Sequence, residues 1–216
     1  MTRESIETMT LKDIVPEYQS QNPLVQWLFH KRLSTAQSFL RTIQPATLLD
    51  AGCGDGSFVR LISNDTTLPD IAITGFDINT KITALAAEMP RHSFIVGSMV
   101  KMELPDESYE AAVTLDVLEH FEDAKLPINE LHRVIKKGGY LVTSEPTESI
   151  VYKTLRFMIK GTFSEIEGPG SSPHYHNARG IDRIVKECGF TRITSVQLPL
   201  FWPFDLFHLN LYQKNA

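Results

Sequence analysis

Gly52, Gly54 and Gly56 stand at alternate positions in LLDAGCGDGSF, from Leu48 to Phe58, where an apolar run ends in the acid Asp50. Glycines there let the chain turn sharply and bring its backbone against a ligand, and a helix starting just beyond offers unpaired N–H groups. A second acid, Asp77 of GFDIN, follows about 20 residues on, the spacing at which a strand-end carboxylate accepts hydrogen bonds from ribose hydroxyls. The competing role for Asp77 is to cap the segment starting near Thr80, and Asn79 competes better for it. Three histidines add proton chemistry: His120 in LDVLEHF, and His174 and His176 in SSPHYHN. An imidazole with an ordinary pKa of about 6.5 suits a general base near neutral pH. A surface or structural role is the alternative for each. The two cysteines, Cys53 and Cys188, share no CxxC or Cys/His spacing, so no metal is expected and a reducing cytoplasm is.

These groups need elements to hold them. Between Pro23 and Ile43, Leu24, Trp27, Leu28, Leu33, Ala36, Phe39 and Leu40 recur at spacings near three and four, which predicts a helix with one buried face. Ala46–Ala51 reads as a buried strand entering the glycine turn. The alternation then repeats: strand Ile71–Phe76, helix Thr80–Glu88, strands Ser93–Val96 and Tyr109–Leu115, helix Asp123–Ile135, a turn at Gly138-Gly139 and strand Tyr140–Ser144. That order predicts an α/β domain, a mostly parallel sheet covered on both faces. From Pro146 to His176 the pattern breaks into a helix around Ile150–Lys160 and the glycine- and proline-rich EIEGPGSSPHYHN, which reads as a lid insertion. Val151, Leu155, Met158 and Ile159 beside Lys153, Arg156 and Lys160 fit that helix to cover an apolar acceptor, to rest on a lipid surface, or to pack on the domain. Helix Asn177–Cys188 and strands Phe190–Gln197 and Phe204–Tyr212 close the chain.

Composition narrows the partners. A chain of 216 residues, 42% apolar and 22% charged, fits one domain with a modest appendage. Its net charge of −5, with Lys and Arg scattered, gives no footprint for a nucleic-acid backbone. The opening MTRESIETMT is polar, and no apolar run reaches the roughly 20 residues that cross a bilayer.

With DAGCGDGSF, GFDIN, LPDESYEAAVTLDVLEHF and LHRVIKKGGYLVTSEP in that order across about residues 46–146, the chain resembles the class I S-adenosylmethionine-dependent methyltransferases, in particular the small-molecule group of ubiquinone and menaquinone biosynthesis. The resemblance implies a Rossmann-like, doubly wound, seven-stranded sheet with an antiparallel strand near the C-terminus. Residues 1–43 would form N-terminal cap helices, 46–145 the cofactor-binding core, 146–176 the lid, and 177–216 a closing helix and strands. It also implies that Gly52, Cys53 and Gly54 lie against the methionine portion of the cofactor, with Asp50 arranging the turn. Asp77 matches the ribose-binding acid and Ile78 the residue flanking adenine. Ser98 and Met99 fall at the adenine end, where Ser98 departs from the family's usual Asp. Asp116, Val117 and Leu118 would pass the methionine moiety, and His120 would stand near the acceptor, ahead of His174 and His176 as base. Arg32 would either reach the methionine carboxylate or stand as an exposed helix charge. The fourth strand ends in LDVLEHF rather than an Asn/Asp-Pro-Pro-Tyr motif, which argues against a nucleic-acid base or an amide as substrate.

Methyl transfer from a sulfonium is an in-line displacement, so alignment and dehydration supply much of the acceleration, and a base is needed only when the nucleophile carries a proton. Two alternatives stay open. Gly52, Gly54 and Asp77 partly satisfy a dinucleotide fingerprint for an NAD-dependent oxidoreductase, although Ser57 stands at the third glycine position. A non-catalytic cofactor-binding partner subunit would keep the same residues. Thermal melting separates the first: S-adenosylhomocysteine is expected to raise the melting temperature and NAD to leave it unchanged.

Overall fold

The long apolar stripe before the glycine turn forms helix α1, Pro23–Ile43, in the computed structural model, which describes residues 23–148, 154, 173–199 and 204–215. Proline suits this first position because no N–H partner is needed there. Leu28, Leu33, Ala36, Phe39 and Leu40 are buried as the spacing requires. Trp27, expected on the same face, is 49% exposed. It falls in line with Lys31, Ser34, Ser38 and Arg41, all on the outer side of α1.

Strands β1 (Thr47–Ala51), β2 (Ala72–Asp77), β3 (Ser93–Val96), β4 (Tyr109–Leu115) and β5 (Ile135–Pro146) run parallel, and β7 (Asp205–Lys214) is antiparallel to both β5 and β6 (Phe190–Pro199). The seven strands lie in the order β3-β2-β1-β4-β5-β7-β6. Helix α2 (Ser57–Ser63) follows the glycine turn, and α4 (Lys125–Val134) and α5 (Ala178–Glu187) cover the sheet farther along the chain. One apolar cluster gathers α1, α2 and one face of the strands, the other α4, α5 and the opposite face. Coverage on both sides is why Leu48, Leu49, Ala111, Ala112, Val113, Leu141 and Val142 read as unbroken apolar runs.

Two elements differ from expectation. Over Thr80–Glu88 the chain makes a 3₁₀ turn, Thr80–Ala84, and only four residues of α-helix, α3 (Leu85–Glu88). Asn79 Oδ1 accepts from Lys81 N at 3.0 Å, and β-branched Thr80, Ile82 and Thr83 disfavour a regular helix. Gly138 and Gly139 do not separate helix from strand either. They lie inside β5, where its register with β4 slips between Tyr109 and Ala111. The leader 1–22 and most of the 146–176 insertion, including all of the amphipathic segment around Ile150–Lys160 but Thr154, lie outside the described residues. Among those described, no helix is long and apolar enough to cross a membrane.

The parallel registers Ala51↔Phe76, Asp50↔Val113 and Leu115↔Ser144 bring the carboxyl ends of β2, β1, β4 and β5 to one edge. Strand order reverses between β1 and β4, and in open α/β sheets ligands bind in the crevice at that reversal. Helix α1 is fastened beside it by Arg32, which is 1% exposed and ion-paired with Asp116 just past β4. Its guanidinium lies 4.3 Å from the ring centroids of both Phe29 and Phe207. Arg32→Met keeps most of the packing volume and strands the Asp116 carboxylate, so an equilibrium denaturation curve is expected to lose about 1–3 kcal/mol.

Candidate functional site

At the end of β1 the chain turns through Gly52, Gly54 and Gly56, all at positive φ (83°, 54° and 75°). The Gly52 N–H donates to Phe76 O at 2.7 Å, which ties the turn to the end of β2. The Gly54 N–H donates to Asp77 Oδ2 and the Asn79 N–H to Asp77 Oδ1, each at 2.9 Å. Asp77 thus clasps the glycine turn, while the 3₁₀ cap falls to Asn79. A carboxylate oxygen accepts more than one hydrogen bond, so Asp77 keeps acceptor capacity. Across the crevice a Cβ added at Gly52 would lie 2.4 Å from Val117 Cγ2, so the two walls touch there.

Asp50 is 2% exposed, and its Oδ2 has no hydrogen-bond partner among the described residues. Burial first, then the negative charges of Asp77 and Asp55, push its carboxyl up to about 8. Asp77 is also raised by burial, opposed by the N–H groups of Asn79, Gly54 and Ile78. Two neighbouring acids short of positive charge make a seat for a cationic ligand.

The remaining sequence candidates line the same edge. Ile78 beyond β2 is 60% exposed, an apolar surface large enough to flank a planar ring. Ser98 bridges to Lys101, and Met99 beneath it is buried in the core. Cys53 packs on Ile82 and Leu85, and its thiol is pushed up by burial and then by Asp50. Asp116 holds a left-handed φ of 56°, a conformation that costs a non-glycine residue about 1–3 kcal/mol and that asparaginyl and aspartyl side chains tolerate best. Its N–H donates to Ser144 O at 2.9 Å, and its carboxylate meets Arg32. Arg32 is therefore not an exposed helix charge, because its side of α1 faces the sheet end and two aromatic rings enclose it.

Beyond Asp116 a single 3₁₀ turn, Leu118–His120, buries Leu118 in the core and turns Glu119 and His120 toward residues 173–176. The Tyr175 N–H donates to Glu119 O at 2.8 Å, which holds the two segments together. His120 and His174 meet edge to face, centroids 4.9 Å apart, and His174 Nδ1 lies 2.8 Å from Glu148 Oε1. Glu119 is 1% exposed, and its Oε2 has no hydrogen-bond partner among the described residues. Burial pushes this carboxyl up to about 7, with His174 and Arg32 drawing it down and Glu148 adding to the rise. His176 stands apart, its Nε2 3.2 Å from Glu122 O. Of the three candidate histidines, two converge. Glu119 and Glu148 were missed: the first had a signal, an acid beside His120 in an apolar context, and the second had none.

The profile of the family described as Methyltransferase domain matches residues 49–143. A demethylmenaquinone methyltransferase of Chlorobaculum parvum is 24% identical over 88% of this chain and 86% of its own length. A 2-methyl-6-phytyl-1,4-hydroquinone methyltransferase of Synechocystis is 30% identical over 49% of this chain and 34% of its own. The N-methyltransferase NodS of Bradyrhizobium japonicum, solved with S-adenosyl-L-homocysteine, shares the fold: TM-score 0.70, 18% identity, 99% of this chain and 98% of that one.

The contact at Gly52 yields a two-variant test. Gly52→Ala meets a left-handed backbone, at about 1–2 kcal/mol, and overpacking against Val117, at about 1–3 kcal/mol. Adding Val117→Ala is expected to recover only the second part in thermal denaturation. Full recovery in the double variant would show that the backbone at Gly52 is unstrained.

Proposed function

Since the chain belongs to the class I S-adenosylmethionine-dependent methyltransferases, we propose that it methylates a small, hydroxylated acceptor of the quinol type. The observation that carries the cofactor assignment is the buried Oδ2 of Asp50, without a hydrogen-bond partner among the described residues, beneath the left-handed glycine turn. An oxygen so placed fits a cationic ligand and repels an anionic one. The pyrophosphate of a dinucleotide, resting on the same turn, would meet Asp50 and Asp77, which argues against the oxidoreductase alternative.

When bound, the cofactor supplies a methyl carbon on a sulfonium, with a thioether as leaving group. The chain's own residues bind and align. Gly52, Cys53 and Gly54 offer backbone to the methionine portion, and Asp50 supplies the counter-charge for its ammonium group. The remaining lone pairs of Asp77 accept from ribose hydroxyls, Ile78 flanks adenine, and Ser98 with Met99 closes that end. Asp116, Val117 and Leu118 form the facing wall, with Arg32 holding Asp116 in place. His120 and His174, rather than His176, stand at the acceptor end. The acceptor class is supported by the names of two relatives, both of which act on quinone-type rings.

Calorimetry with S-adenosylhomocysteine tests the cofactor seat. Asp77→Ala is expected to weaken binding by about 1.5–3 kcal/mol, the range for hydrogen bonds to a charged group. Asp50 adds a pH signature. Its folded pKa of about 8 stands above the model-peptide 3.8, so the folded chain holds a proton that the unfolded chain releases between those values. Stability of the ligand-free protein therefore falls as pH rises through that window, and Asp50→Asn removes this part of the decline. Near pH 7 the ligand's ammonium group expels the same proton, read as a dependence of binding heat on buffer ionisation enthalpy that Asp50→Asn abolishes. Mass spectrometry of quinols incubated with protein and cofactor tests the transfer: cofactor binding without a methylated product would leave the partner-subunit alternative.

A further inference from the structure

We propose that Glu119, His120 and His174 bind one first-row divalent cation of the zinc class, and that an open position on that cation takes a hydroxyl oxygen of the acceptor. One ligand atom from each of the three residues lies within 4.8 Å of the others. Ligands bonded at about 2.0–2.2 Å stand about 3–4.4 Å apart around an ion, so small side-chain rotations bring the set into range.

Two further observations point to a cation rather than to a polar cluster. Glu119 is 1% exposed and its Oε2 has no hydrogen-bond partner among the described residues. Burying such an oxygen is costly unless something positive meets it. Then, His174 Nδ1 stands 2.8 Å from Glu148 Oε1, the arrangement of a metal-ligating histidine whose second nitrogen is held by a carboxylate. A histidine that donates from Nδ1 carries its lone pair on Nε2.

The donor set decides the kind of ion and the kind of site. Two imidazoles and one carboxylate suit Zn²⁺ and its first-row neighbours, whereas Mg²⁺ and Ca²⁺ favour oxygen alone. Three protein ligands leave a coordination position open, as catalytic sites do and closed structural sites do not. The segment is also the right one. Glu119 and His120 continue directly from Asp116 and Val117, which wall the crevice opposite the glycine turn.

Resting on the methyltransferase reading above, the cation's task is to polarise the acceptor hydroxyl so that its proton passes to water. The acceptor's electron pair then forms the bond to the methyl carbon as the carbon–sulfur bond breaks and its pair stays on sulfur.

The test uses the full chain stripped with a chelator and titrated with Zn²⁺ by calorimetry and with Co²⁺ by visible absorption. Wild type is expected to bind one equivalent and to show ligand-field bands with Co²⁺. Glu119→Gln and His174→Asn each abolish the bands, Glu148→Gln weakens binding about 10–100-fold, and His176→Asn leaves it unchanged. S-adenosylhomocysteine affinity checks that each variant is folded, and His174→Asn, at a half-buried ring, serves should the buried Glu119→Gln unfold. Absence of saturable one-equivalent binding in wild type, or wild-type binding by folded His174→Asn, overturns the site. S-adenosylhomocysteine binding without cation binding sinks this site alone, and cation binding without S-adenosylhomocysteine binding sinks the cofactor reading alone.

Discussion

A Cβ at Gly52 would stand 2.4 Å from Val117 Cγ2, so anything larger than hydrogen there forces the facing wall to shift. This contact spans the point where strand order reverses, so it sets how closely the ends of β1 and β4 approach. With Gly52 and Gly54 left-handed, the turn sends the Gly54 N–H to Asp77 and fixes the end of β2 as well. On the other wall Val117 follows Asp116, whose left-handed backbone accompanies the ion pair to Arg32 and so the seating of α1. One turn later come Glu119 and His120. Both halves of the crevice thus meet at a single close approach, which a methyl group would strain.

Much of this was legible in the sequence because the signals are local. An apolar run ending in an acid, followed by glycines at alternate positions, specifies strand, turn and helix within a dozen or so residues. The place of Asp77 at the end of the second strand was legible for the same reason, and Asn79 as the better cap was legible from its position directly before Thr80. The closing strands came out short by a few residues, as element ends do.

The failures share a cause: each depends on what lies across space. Trp27 belongs to an apolar stripe by spacing, yet the stripe that meets the sheet includes Arg32, and a charged residue at a core position looks like an exposed one in sequence. Phe29, Phe207 and Asp116, from three separate segments, help make its burial tolerable. Glu148 and His174 stand far apart in the chain, and no pattern joins them before the fold does. The 3₁₀ turn at Thr80–Ala84 was lost to a side-chain hydrogen bond that periodicity does not register.

A net charge of −5 also conceals where the acids are. Asp50, Asp77, Glu119 and Glu145 all lie along the carboxyl edge, and burial raises the carboxyl of each. A core built for stability alone would replace them with apolar side chains of similar volume, since buried charge rarely repays its desolvation. Arg32 compensates part of this negative charge: it pairs with Asp116 and draws Glu119 down. Among the described residues, the buried carboxylate oxygens without a hydrogen-bond partner include one under the glycine turn at Asp50 and one at Glu119. The first is of the kind that the proposed cofactor's ammonium group would meet, and the second of the kind that an ion held by two imidazoles would meet. On the readings proposed above each of these two takes a different cation, so loading one would leave the other in place.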